Sequence, residues 1–205
     1  LSAKTHFDQA MALFLRQHAA THTAEISGGM GWSVYDEALA GLTDEHIRAI
    51  LRPGTNSIAW LLWHITRIED MTINFLVFGQ PQILDADWLA RLGVPQRDCG
   101  ASMGPNEVAD FSARISVQAL KDYHTAVGHS TREKVPGLQA AQLKEIVPTE
   151  TVKTLMDEGS ISAKGIWLFD YYTGRTKGFF LTRTATSHNF IHMNEARRIR
   201  EKLLR

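Results

Sequence analysis

The 205-residue chain is 44% hydrophobic and 21% charged, enough apolar material for one domain with its own core over residues 1–205. Lysine plus arginine equals aspartate plus glutamate, 22 against 22, so no excess of positive charge exists to neutralise a phosphate backbone and no nucleic-acid partner is expected. A single cysteine, Cys99, excludes an internal disulfide and a cysteine-based zinc site and fits a reducing, cytoplasmic setting, and no apolar run approaches the roughly 18–20 residues that span a bilayer.

The chain opens without the basic, apolar and small-residue progression of a secretion signal. Phe7, Met11, Phe14 and Leu15 recur at helical spacing and predict a first long helix over residues 4–26. Ser27-Gly28-Gly29-Met30-Gly31 reads as its stop; no Lys-Ser/Thr follows and no strand precedes, so it is not a phosphate-cradling loop. A short helical piece is expected over 34–42. Thr43 then caps a second piece, with Asp44 and Glu45 in its first turn, ending near Leu51. Asn56 or Ser57 caps a second long helix over 57–78, which Gly79 and Pro81 end. One or two helical turns follow at 85–92, then a loop over 95–104 that carries Cys99. A third long helix is predicted over 105–132, with Pro105 in its first turn and Pro136 and Gly137 behind it. Short helices are expected at 140–146, 149–158 and 161–172, cut by Pro148 and Gly159. The fourth long helix, 175–204, would be roughly 45 Å long. Its basic end, Arg197, Arg198, Arg200, Lys202 and Arg205, complements the helix dipole. Four long amphipathic helices with short helices in the crossovers predict an all-α four-helix bundle.

His188 and His192 lie four residues apart on the fourth helix, about 40° around the axis and about 6 Å along it, so their rings can converge on one cation. Leu181, Ala185, Ile191 and Ile199 fall near the same side and turn the pair inward, and Glu195 shares that side. His64 stands on the stripe of Trp60, Leu61, Ile68, Met71 and Phe75. A ring there must find partners for its nitrogens or lose roughly 1–3 kcal/mol to desolvation, and a shared ion would satisfy all three. His18 and His22 have the same spacing on the first helix, and spacing alone does not separate the two pairs. Residue 189 is Asn, so the His-Glu-x-x-His pattern of zinc proteases is absent, and no Glu-x-x-His supports a di-iron centre.

The segment Arg52-Pro53-Gly54-Thr55-Asn56-Ser57-Ile58-Ala59-Trp60-Leu61-Leu62-Trp63-His64-Ile65, followed by Arg67, Glu69 and Asp70, resembles the second-helix signature of the DinB/YfiT-like superfamily. Thr186-Ser187-His188-Asn189-Phe190-Ile191-His192-Met193-Asn194-Glu195 resembles its last-helix signature. The lead-in Leu42-Thr43-Asp44-Glu45 and the stretch Ala119-Leu120-Lys121-Asp122-Tyr123 are similar to members as well. The resemblance implies an up-down-down-up bundle, often a homodimer, with a divalent metal on one histidine of the second helix and two of the last, here His64, His188 and His192. Some relatives are thiol-dependent S-transferases or isomerases.

Three neutral imidazoles leave the charge of a divalent ion uncompensated and coordination positions open. Such an ion lowers the pKa of water to about 7, or deprotonates a thiol whose free pKa is about 8.5. Imidazole suits zinc, nickel, copper and iron, with zinc or nickel taken first. The expected function is that of a metal-dependent S-transferase, isomerase or hydrolase acting on a small molecule or low-molecular-weight thiol. The alternative is a non-catalytic metal-binding or structural module acting as a homodimer. Glu195 is the candidate acid–base or ligand-orienting carboxylate, and its competing role is an ion pair with Arg198 or Arg67. Glu69 and Asp70 read as helix-surface acids, with ligand orientation as their alternative role, Cys99 as incidental, and Trp60, Trp63, Trp167, Tyr171 and Tyr172 as core aromatics or candidate pocket walls.

Overall fold

The computed structural model describes residues 3–27 and 31–205, so Gly28, Gly29 and Met30 of the predicted stop lie outside the described residues. It is a four-helix bundle; among the described residues no strand forms, only an isolated bridge between Ile146 and Thr176.

The first bundle helix, α1, is Ala3–Thr21, shorter than predicted. A 3-10 turn follows at Ala24–Ser27, where Asp36 Oδ2 takes the Ala24 N–H at 2.8 Å. Two short helices, α2 (Val34–Leu39) and α3 (Asp44–Arg48), fill the crossover. Thr43 caps α3 by accepting from the His46 N–H.

Ser57, not Asn56, caps the second bundle helix, α4 (Ile58–Glu69), accepting from the Trp60 N–H at 2.9 Å. Its helix then widens into a π-helical stretch, Asp70–Val77. The loop after it leads to α5 (Ala86–Leu92), capped by Asp85.

The predicted third long helix is two helices, α6 (Pro105–Arg114) and α7 (Val117–Lys134). Ile115 is extended, at φ −61 and ψ 136, and Ser116 restarts the helix by accepting from the Ala119 N–H. Serine competes for backbone donors, so it caps here where periodicity alone ran straight through.

Helices α8 (Thr149–Asp157) and α9 (Trp167–Tyr172) occupy the last crossover. The fourth bundle helix runs from α10 (Lys177–Thr182) through a π-helical turn, Arg183–Ser187, into α11 (His188–Leu203). Arg200 donates to the Ala40 carbonyl and Arg197 to Glu37, so part of the basic run ties α11 to the first crossover. Helix α4 packs against both α7 and α11, and α1 packs against α11 and the π turn before it.

The two π stretches face each other. Thr72 Oγ1 and Thr184 Oγ1 are 2.7 Å apart, and each also lies within hydrogen-bond distance of the carbonyl four residues back, Ile68 and Phe180, so two hydroxyl protons serve three contacts. Each widened turn shifts every later side chain around its helix relative to a uniform 3.6-residue wheel.

Candidate metal centre

The π turn at Arg183–Ser187 ends where His188 begins α11, and four residues on α11 returns His192 to the same face. Across from them His64 stands on α4, between Ile65 in one apolar cluster and Ile68 in the other. The three imidazoles meet. Ring centroids are 5.1 Å apart for His64 and His188, 5.0 Å for His64 and His192, and 4.7 Å for His188 and His192. The planes are mutually inclined by 52°, 86° and 74°. One ring nitrogen from each lies within 4.8 Å of the others, near enough to share an ion.

Hydrogen bonds fix which nitrogen is free. His64 Nδ1 lies 2.8 Å from the Cys99 carbonyl, which only accepts, so the proton sits on Nδ1 and Nε2 keeps its lone pair. His192 Nδ1 lies 3.2 Å from Glu195 Oε2, and a carboxylate fixes the same tautomer. His188 Nδ1 is buried and has no partner among the described residues. Burial pushes His64 down to about 4 and His188 to about 2, so both rings are neutral at pH 7 and hold lone pairs.

Glu195 therefore orients His192 and pairs with neither Arg198 nor Arg67. Arg67 is buried against Asp70, Tyr123 and the Arg97 carbonyl. Ile191, read as inward-facing, is 55% exposed, because the wheel position of a residue beside a half-buried pair opens at the rim of the face. Cys99 is buried in its loop and its thiol is pushed up to about 12 by burial, which makes it no nucleophile, although its carbonyl holds His64.

The indole of Trp60 stacks on His64 at 4.7 Å and 9°. Behind it Gly100 has φ +75, and a Cβ there would lie 2.8 Å from Trp60 Nε1. Gly100→Ala is expected to destabilise the protein by about 1–3 kcal/mol in urea unfolding and to weaken metal binding, since both the left-handed backbone and the Trp60–His64 stack are disturbed. Unchanged stability with unchanged metal affinity would contradict this.

A cleft of about 260 Å³ opens beside the centre, lined by His64, Ile68, Trp167, Leu168, Tyr171, Tyr172, Arg183, Thr184 and His188. Trp167, Tyr171 and Tyr172 wall it as predicted; Trp63 instead packs in the core against Phe111 and Tyr123.

The competing pair also finds partners. His18, His22 and Glu69 are fully buried and close enough to bind a metal ion. Glu69 and Asp70 are thus interior residues, contrary to the surface reading. Glu69 Oε1 accepts from His18 Nε2 at 2.8 Å and from the Thr131 hydroxyl at 2.7 Å. Oε2 accepts from His22 Nε2 at 3.0 Å and from Asn189 Nδ2 at 2.8 Å. The two clusters differ in ring geometry, and both bring their ligand atoms within 4.8 Å of one another. His18 and His22 stack at 4.2 Å and 28°, and His124 stacks on His22 at 4.2 Å and 13°. The near-parallel rings of His18 and His22 each bond one oxygen of the Glu69 carboxylate, whereas the rings of His64, His188 and His192 are mutually inclined around a shared space. His22 Nδ1 faces Gly128, where a Cβ would sit 2.5 Å away, so only glycine admits the ring. An acid on the buried stripe of α4 facing two unassigned inward histidines was the signal in the sequence for this clamp.

The fold resembles that of a conserved protein from Enterococcus faecalis seen in a crystal structure, with a TM-score of 0.61 and 18% identity over 93% of this chain and 95% of that one. No curated protein matches the chain. The family model of the DinB superfamily matches residues 30–165. With the all-helical bundle that carries those residues, the chain belongs to the DinB superfamily.

Proposed function

We propose that this protein is a metal-dependent enzyme whose single divalent ion, zinc or nickel, is held by His64, His188 and His192, and that it activates a small molecule or low-molecular-weight thiol for S-transfer, isomerisation or hydrolysis. The observation that carries the reading is the convergence of three inclined imidazoles, two of them fixed by Nδ1 acceptors, at the end of an aromatic cleft. A divalent ion bound there supplies Lewis-acid activation of water or a thiol.

The chain's own residues do the rest. The Cys99 carbonyl and Glu195 hold two ring protons on Nδ1 and leave the opposite nitrogens as donors. Trp60 covers the face of His64, while Leu168 and Tyr172 line the cleft with buried apolar surface. Glu195 is partly exposed, with 40% of its side chain open, so it can also exchange a proton at the rim.

Elemental analysis of protein purified without a histidine tag tests the reading. About one zinc or nickel per chain is expected, and His188→Ala should lose it while keeping its helical circular dichroism. Retention of the ion by His188→Ala and its loss in a His18→Ala, His22→Ala double variant would transfer the site to the buried clamp. A screen of thiols for thermal stabilisation then separates an enzyme from a passive binder, because a ligand of the folded state raises apparent stability.

A further inference from the structure

We infer that the cleft beside the three histidines binds a small carboxylate with an apolar or aromatic body, its carboxylate on Arg183 and its reactive end toward His64 and His188. This rests on the proposed metal centre for the reactive end, but the carboxylate site stands on Arg183 itself.

Arg183 is the one arginine or lysine among the described residues lining that cleft. It is half-buried, and its contacts are long and neutral: Nε to the Tyr171 hydroxyl at 3.3 Å and Nη1 to the Ser187 hydroxyl at 3.5 Å. Among the described residues no carboxylate pairs with it, although it lines an aromatic cleft. A guanidinium kept among aromatic rings without a counter-ion offers a planar fork that matches a carboxylate bidentately. The single guanidinium pairs with one carboxylate group. The remaining wall selects the body of the ligand. Trp167, 51% exposed at the edge, faces the cleft with Ile68, Leu168 and Tyr172, a surface for an aromatic or branched aliphatic group. A volume of about 260 Å³ accommodates a ligand the size of a substituted phenyl acid rather than a nucleotide.

Isothermal titration of tag-free, zinc-supplemented protein with 3-phenylpropanoate and with its neutral isostere 3-phenylpropanamide tests the inference. The acid should bind about ten-fold more tightly than the amide, as a charge-assisted pair predicts. Arg183→Gln should erase that preference without changing metal content, and Arg183→Lys should restore part of it. Equal binding of acid and amide, or no binding of either, overturns the inference. So does a preference that survives Arg183→Gln but vanishes in His188→Ala, which would put the carboxylate on the ion. Repeating the titration after chelation keeps the two readings apart. Absence of metal from the untreated protein defeats the proposed centre, while an Arg183-dependent preference in the chelated protein still upholds the carboxylate site.

Discussion

Glu69→Ala is expected to lower unfolding free energy by about 3–5 kcal/mol, the cost of breaking a buried, charge-assisted cluster by removing one partner. The carboxylate accepts four hydrogen bonds, from His18, His22, Thr131 and Asn189, all of them buried. Alanine leaves four donors facing a dry void. Burial by itself opposes the charge on Glu69; the two histidines outweigh it and hold the carboxyl well below its ordinary range. Glu69→Gln is the informative control. Its amide oxygen can still accept from His18 and Thr131, but its NH2 group meets two donors. Asn189 can answer by turning its amide over, since its Oδ1 has no partner now. His22 cannot answer as easily, because a proton moved to Nδ1 would face Gly128 without an acceptor. The glutamine variant should therefore fall between wild type and alanine in urea midpoint. The bond from Glu69 to Asn189 also joins α4 to α11 one residue from His188, so metal affinity should weaken in the alanine variant. An alanine variant as stable as wild type would show that the cluster contributes nothing to the fold.

The bundle was legible because its evidence is local. The Thr43 cap, the Asn56-or-Ser57 cap and the stripes of the long helices place most elements within a few residues of where they fold. One group of errors comes from departures from uniform helix that periodicity cannot register. Ser116 breaks a pattern whose apolar spacing continues across the break. The π stretches at Asp70–Val77 and Arg183–Ser187 leave composition untouched while they rotate the side chains beyond them. The spacing of His188 and His192 survives because both lie past the π turn within one regular helix. Glu69 and Asp70 are misplaced for a different reason. A charged residue is assigned outward on the prior that buried charge is costly, and the groups that offset that cost come from distant chain: His18 and His22 for Glu69, Tyr123 and the Ile83 and Leu84 amides for Asp70.

The same clamp sets how the fold responds to acid. Burial pushes His18 down to about 4 and His124 well below the ordinary imidazole value, so between about pH 6.5 and 4 the unfolded chain binds protons that these folded rings refuse. Stability is full above the unfolded pKa and falls as pH drops through that window. These two rings contribute a slope of about 2.7 kcal/mol per pH unit near its middle, to which His64 and His188 add in metal-free protein. Below about pH 4.5 Glu69 continues the loss, since its depressed carboxyl holds a charge that the unfolded state neutralises first. The groups are buried, so moderate salt should change the slope little. His124→Phe isolates one share. The ring lies between His22 and Tyr35, stacked at 4.2 and 4.9 Å, and phenylalanine preserves that stack. Thr66, which bonds His124 Nδ1, keeps its bond to the Leu62 carbonyl. Urea unfolding of chelated protein from pH 7 to 4 should then show the variant's slope smaller by about 1.4 kcal/mol per pH unit, the contribution of one proton. His64 and His188 titrate equally in both proteins and cancel in the difference. Parallel pH profiles for wild type and variant would mean that His124 already carries its proton in the native fold, and that the stacked histidines are held by charge on the rings and not by their neutrality.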